Sequence, residues 1–366
     1  MPIRVWEYLD EYAHEREDVL AAVDHVFSSG RLILGDSVRC FERAFSQYCG
    51  AKYGIGVDNG TNAIFLALRA LGVGLGDEVI TVSNTAVPTV SAIVSTGAIP
   101  RFVDIDPRTY LMDASLVEAA VSPRTKCILP VHLYGQCADM GALRAIASAR
   151  NLAIVEDCAQ SHGAAQNGRC AGSMSDAAAF SFYPTKVLGA FGDGGMIVTS
   201  RDDLDKRLRR LRFYGMDDAY YAEEHGYNSR LDEVQAEILL RKLARLDGYI
   251  AERRKLASRY RELLSELPVA LPEVDEGNDH VYYLFVVRCA NRDAVLAKLA
   301  DRDVHLSASY PWPIHTMRGY AFLGYSAGDL PESERAASEV LSLPMYPSLS
   351  EETQDRVCEA LAEALS

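Results

Sequence analysis

The sequence predicts an α/β protein in which a large, mostly parallel sheet covered by helices precedes a small α+β domain. Three observations carry that expectation. From about Tyr53 to Thr199, short apolar runs alternate with stretches of helical periodicity, the pattern of successive strand–helix–strand units. After Arg201 the alternation stops, and a long Leu-, Arg- and Glu-rich stretch is followed by the β-prone run Val281–Val287. A chain of 366 residues can also bury one large core and a second, smaller one. The expected division is residues 1–245 for the large domain, N-terminal segment included, and 246–366 for the small one.

Taken in order, Tyr53–Val57 reads as a strand. Asn62–Leu71 reads as a helix, stopped by Gly72, Gly74 and Gly76. Further strands are expected at Glu78–Val82, Pro100–Asp104, Lys126–Pro130, Ala153–Glu156, Ala177–Ser181 and Met196–Thr199. Helical patterns lie between them near Val87–Thr96, Ala114–Val121 and Met140–Arg150. Leu231–Leu264 reads as one long helix, ended by Pro268 and Pro272, with Ser229 and Asp232 as a capping box at its start. Glu273–Asp279 reads as a linker, and helices follow near Asp293–Ala300 and Glu332–Ser342.

Composition excludes several classes. A formal net charge of −14 argues against a nucleic-acid-binding face, which needs a basic stripe. The eight cysteines contain no C-x-x-C pair, so neither a zinc site nor a disulfide framework is indicated. No apolar run approaches membrane-spanning length. The first residues are too acidic and too broken for a signal peptide. A cytoplasmic protein that binds neither membrane nor nucleic acid is expected.

The chemistry gathers at two strand ends. Ala153–Glu156 is an apolar strand running into Asp157, and Ala177–Ser181 leads through Phe-Tyr-Pro-Thr to Lys186 and then a glycine-rich stretch to Gly195. Ligands of parallel sheets bind beyond the carboxyl ends of the strands, where both residues fall. A lysine with little bulk beside it can form an imine with an aldehyde cofactor and swing away again. A carboxylate at a neighbouring strand end can keep a pyridine nitrogen protonated. Together they are what pyridoxal phosphate requires. Gly60 and Thr61, ahead of the first helix, would offer N–H groups and a hydroxyl to its phosphate, with Ser181 as a second donor. An ordinary capped turn would explain Gly60 and Thr61 equally well alone. It is the ordered set of cup, acid, hydroxyl and lysine that carries the reading. The loop Ser309–His315 reads either as a rigid packed connection or as a substrate-facing wall. His132 is expected to be structural, and His162 fits either role.

At these residues the chain resembles the DegT/DnrJ/StrS family of pyridoxal-phosphate sugar aminotransferases, of fold type I, the aspartate aminotransferase-like architecture. The resemblance runs from the Trp6 region to Tyr346. It rests on Val57–Asn62, Val155–Gly163, Ser181–Gly189 and Tyr227–Gln235. Ser28–Gly35, Val82–Pro88 and Ser309–Thr316 resemble the aminotransferases of antibiotic deoxysugar pathways, of the daunosamine and desosamine type. The resemblance implies that Lys186 holds the cofactor aldehyde and Asp157 faces the ring nitrogen. It implies that Gly60, Thr61 and Ser181 bind the phosphate and that Gln160 meets the ring hydroxyl. Asn228 would reach the phosphate of a neighbouring subunit, making a homodimer with shared sites. Tyr183 and His315 would face the sugar. Many members carry an aromatic residue stacked on the ring where this chain has Ala86, so stacking would fall to another group, Val87 or His162 being candidates. The implied reaction is amination of a dTDP-keto-deoxysugar, at C-3 rather than C-4, with glutamate or glutamine as donor. A non-catalytic, cofactor-binding regulatory protein is the rival from another class, disfavoured by the acidic charge and the lack of an appended DNA-binding segment. Related dehydratases replace the lysine with histidine, and Lys186 is present.

Overall fold

The computed structural model describes residues 2–217 and 220–366. Seven strands form the central sheet: β1 (Tyr53–Val57), β2 (Glu78–Val82), β3 (Ile99–Val103), β4 (Thr125–Ile128), β5 (Ala153–Asp157), β6 (Ala177–Ser181) and β7 (Gly195–Thr199). Their order is β1-β7-β6-β5-β4-β2-β3. The β2–β3, β2–β4, β4–β5 and β5–β6 pairs are parallel, while β7 runs antiparallel to both β1 and β6. The near-continuous apolar runs in these strands follow from burial on both faces. Val155, Ala178, Phe180 and Ile197 are fully buried.

Register sets the site. Gly195, the first residue of β7, pairs with Val57 on one side and Ser181 on the other. The turn after β1 is thereby brought against the end of β6. Asp157, the last residue of β5, pairs with Ala179 and so lies at the same rim of the sheet.

A second core holds the small domain. It collects Tyr260, Phe285, Leu341 and Leu361, together with Ile3 from the start of the chain. Ile3–Arg4 forms a parallel pair with Val304–His305, and Trp6 packs on the same core. The first residues therefore belong with the small domain, a correction to the division at 245. The boundary itself falls inside the helix Leu246–Leu263, whose Leu246 and Ile250 join the large core and whose Leu256 and Tyr260 join the small one.

Three further expectations are corrected. The stretch 231–264 is two helices, Glu233–Leu243 and Leu246–Leu263, separated at Ala244–Arg245. Ser229 does not cap the first of them, because that helix begins at Glu233 with Asp232 at its cap position, and the Ser229 hydroxyl donates to Asp58. Only the last three residues of the run 281–287 are strand, within Phe285–Arg288, which pairs with Val340–Leu343. The preceding Tyr282 has φ +49°, and Val281 and Leu284 donate to the carbonyls of Gly135 and Tyr134 rather than to a ladder. Gly135 permits this approach, since a Cβ there would lie 2.8 Å from Val281.

Candidate active site

The carboxyl ends of β1, β5 and β6 open onto a cavity of about 680 Å³, lined by Gly60, Thr61, Asp157, Gln160, Ser181 and Lys186 among others. Six residues that sequence reasoning singled out separately thus share one space.

At one end stands the N-terminus of the helix Gly60–Ala70. Asn59 caps it, its side-chain oxygen accepting the Asn62 N–H at 2.8 Å. The N–H groups of Gly60 and Thr61 have no intrahelical carbonyl to bond, and the helix dipole adds positive potential there. Gly60 must be glycine, because a Cβ would meet the Ser181 Cβ at 2.6 Å. The bare backbone therefore brings the helix start and the Ser181 hydroxyl together as one anion cup.

Asp157 is buried. Its Oδ1 accepts the Ala159 N–H at 3.1 Å and its Oδ2 accepts the Thr89 hydroxyl at 2.8 Å. Burial pushes its carboxyl above the usual carboxylate range, against the pull of the Ala159 N–H, Thr89 and Lys186. Lys186 makes no ion pair among the described residues, and its Nζ lies 4.5 Å from the ring centre of Tyr283. Burial alone would raise the Tyr283 phenol, yet Lys186 and a bond to Thr185 bring it below its ordinary value. Gln160 is locked from both sides. Its oxygen accepts the Tyr134 N–H at 2.7 Å, and its Nε2 donates to the Tyr310 hydroxyl at 2.9 Å.

These features fit pyridoxal phosphate. A lysine free of carboxylate partners is available to an aldehyde, a buried acid already receives donors that favour its ionised form, and the cup suits a phosphate. When bound, the cofactor supplies an aldehyde that condenses with amines and a cationic ring that withdraws electrons.

The remaining sequence assignments divide. Ala86 lines the cavity with a small side chain, and Tyr183 stands at its rim, 54% exposed. Asn228 is exposed and lies outside the cavity of its own chain. His315 is corrected: its ring is buried, Nδ1 engages the Ser83 hydroxyl at 2.7 Å and Nε2 engages Glu334 at 3.0 Å, and it does not line the cavity. Its loop still reaches the site through Tyr310, while Trp312 points elsewhere, 67% exposed. Neither Val87 nor His162 lines the cavity. His162 packs among Phe45, Phe180 and Phe182 with both nitrogens unpartnered, and burial with the nearby Lys186 charge pushes its pKa down to about 3. His132 is structural, as expected. Its Nδ1 accepts the Ala138 N–H, which places the ring proton on Nε2 toward Glu156. Sequence reasoning missed Thr89 and Tyr283, whose only local signal is a place beside residues already flagged, and touched Tyr310 only as part of the loop Ser309–His315.

The model of the DegT/DnrJ/EryC1/StrS aminotransferase family matches residues 13–362. A dTDP-3-amino-3,4,6-trideoxy-alpha-D-glucose transaminase from Micromonospora megalomicea subsp. nigra is 59% identical, covering 100% of both chains. A pleiotropic regulatory protein from Geobacillus stearothermophilus is 46% identical over 99% of this chain and 98% of its own. Among solved structures, DesV of S. venezuelae in complex with a ketimine intermediate superposes with a TM-score of 0.97 at 43% identity, covering 99% of this chain and 98% of that one.

Proposed function

We propose, from the premise that this chain belongs to the DegT/DnrJ/EryC1/StrS aminotransferase family, that it exchanges the C-3 keto group of a dTDP-linked deoxyhexose for an amino group. The product would be dTDP-3-amino-3,4,6-trideoxy-α-D-glucose or a close relative, with glutamate or glutamine as donor. The observation that carries the reading is an unpaired Lys186 sharing a cavity with a buried, donor-held Asp157, in a chain 59% identical throughout to a transaminase of that name.

Each residue then has a task. Gly60, Thr61 and Ser181 bind the cofactor phosphate through N–H and hydroxyl groups. Asp157 faces the ring nitrogen and holds a proton there, and Gln160, fixed by Tyr134 and Tyr310, meets the ring hydroxyl. Lys186 Nζ anchors the aldehyde at rest. When free, Nζ would be placed to take the proton from the donor's α-carbon as base and to give a proton back as acid. The donor leaves as a keto acid, and the same groups run in reverse on the sugar ketone. Ala86 leaves one wall of the cavity open, and Tyr183 stands where a sugar would enter.

Asn228 completes a neighbour's phosphate site in a homodimer, which accounts for an exposed residue of the site motif lying outside its own cavity. The test is incubation with a panel of dTDP-3-keto and dTDP-4-keto deoxyhexoses and either donor, reading product masses. Amination of 4-keto sugars alone would move the assignment to C-4. No product with any of them, despite bound cofactor, would favour the regulatory reading, for which the resemblance to the regulatory protein speaks.

A further inference from the structure

Both oxygens of Asp157 already receive a donor from the protein, and one of those donors is a side chain with a partner of its own. The Thr89 hydroxyl, in the first turn of the helix Val87–Ser95, lies 2.8 Å from Asp157 Oδ2 and 2.8 Å from the Thr85 hydroxyl. All three side chains are buried. A threonine has one hydroxyl proton to give, and an ionised carboxylate can only accept. With Asp157 ionised, Thr89 donates to Oδ2 and Thr85 donates to Thr89. Were Oδ2 to carry the proton, it would be a weaker acceptor, and the chain from Thr85 through Thr89 to Asp157 would be weakened with it.

We propose that Thr89, backed by Thr85, is a positioning residue that keeps Asp157 ionised, so that the proton shared with the cofactor rests on the ring nitrogen. The proposal depends on the reading of Asp157 as the acid facing that nitrogen. Three features support it. Burial works against an ionised Asp157, so something must oppose it. Lys186 cannot do so steadily, because Nζ gives up and regains a proton during turnover. Thr89 also sits at a helix N-terminus, where partial positive charge favours a nearby carboxylate. Ala159 helps through its backbone, which leaves Thr89 as the steady contributor that substitution can remove.

The experiment loads wild type, Thr89→Val, Thr89→Ser and Asp157→Asn with cofactor carrying an isotopically labelled ring nitrogen. The nitrogen's NMR shift is read alongside the rate of the half-reaction with glutamate. Asp157→Asn should move the shift to the unprotonated value. Thr89→Val should move it part of the way and slow the half-reaction by roughly 10- to 100-fold, the range for one hydrogen bond to a charged group. Thr89→Ser should restore both. A Thr89→Val enzyme with an unmoved shift overturns the proposal, even if its rate falls, since a packing defect alone would slow it. Should Asp157→Asn also leave the shift unmoved, the fault lies in the assignment of Asp157. If Thr89→Val does not fold, Thr85→Val serves in its place. There a smaller displacement in the same direction supports the proposal, and none overturns it.

Discussion

Replacing Gly60 with alanine adds one methyl group at the tightest point of the cup. Its carbon would lie 2.6 Å from the Ser181 Cβ and 3.1 Å from the Ser181 Cα, against 3.4 Å for ordinary contact. The helix start and β6 must therefore part by about 0.8 Å, the difference between 2.6 and 3.4 Å. Neither side yields easily. Ser181 is paired to Gly195, and a Cβ at Gly195 would itself lie 2.4 Å from the Asn59 carbonyl oxygen, so the turn is closely packed below as well. Overpacking of this kind costs about 1–3 kcal/mol. The displacement would stretch N–H contacts to a phosphate from about 2.9 Å toward 3.7 Å, beyond useful hydrogen-bond length. One charge-assisted bond lost is about 1.5–3 kcal/mol, so cofactor affinity should fall by at least about tenfold. Denaturant unfolding of the apoprotein and titration with pyridoxal phosphate measure the two effects separately. Adding Ser181→Gly removes the worst contact and should recover stability but not affinity, since the Ser181 hydroxyl is lost with it. A Gly60→Ala protein with wild-type stability and wild-type cofactor affinity would refute this account of the cup.

Three other outcomes follow from the same geometry. Borohydride should fix the cofactor covalently on Lys186, seen by peptide mass mapping. Lys186→Ala should abolish that adduct while the cup still retains some cofactor, and an adduct on any other lysine would displace Lys186 from its role. Mixing Asn228→Ala with Lys186→Ala homodimers under subunit exchange should restore transamination if sites are shared, because one site of each heterodimer then carries neither lesion. Exchange without recovery would place Asn228 in its own subunit's site or outside any site. For His162, with a pKa of about 3 in the folded state against 6.5 unfolded, the unfolded chain binds the extra proton between those values. Its contribution is fully present above pH 6.5 and is lost as pH falls toward 3, by up to about 1.4 kcal/mol per unit. His162→Leu should therefore gain stability relative to wild type as pH drops from 6.5, and parallel stability–pH curves would exclude this role.

The sheet was legible because strands buried on both faces write themselves as apolar runs, and β5 and β6 are found where Ala153–Glu156 and Ala177–Ser181 place them. That Asp157, Lys186 and Gly60 meet at one cavity was legible because strand ends and helix starts are marked locally. The break at Ala244–Arg245 was not, since neither glycine nor proline marks it and tertiary packing alone decides it. Tyr282 defeats the strand expectation by taking a left-handed backbone that its β-prone neighbours do not announce. His315 was misplaced because a loop's sequence does not say which of its side chains turns inward. Tyr310 reaches the cavity and His315 turns to Ser83 and Glu334. Thr89 was invisible for a related reason, as its acceptor lies 68 positions away.

The pairing of Ile3 with Val304 has a consequence for how the molecule is made. These residues are 301 positions apart (304 minus 3), so at about 5–20 residues per second the first strand waits roughly 15–60 s on the ribosome before its partner exists. During that interval the large sheet, whose strands all lie between Tyr53 and Thr199, can be completed. The small domain cannot, because its core brings Ile3 and Trp6 together with Leu341 and Leu361. Ile3 and Trp6 are then apolar groups without a home throughout most of synthesis, and a nascent chain stalled before Val304 exposes them to chaperones and proteases. Assembly is thereby ordered in time: the cup, the acid and the lysine can be in place before the walls contributed by Tyr283 and Tyr310 arrive.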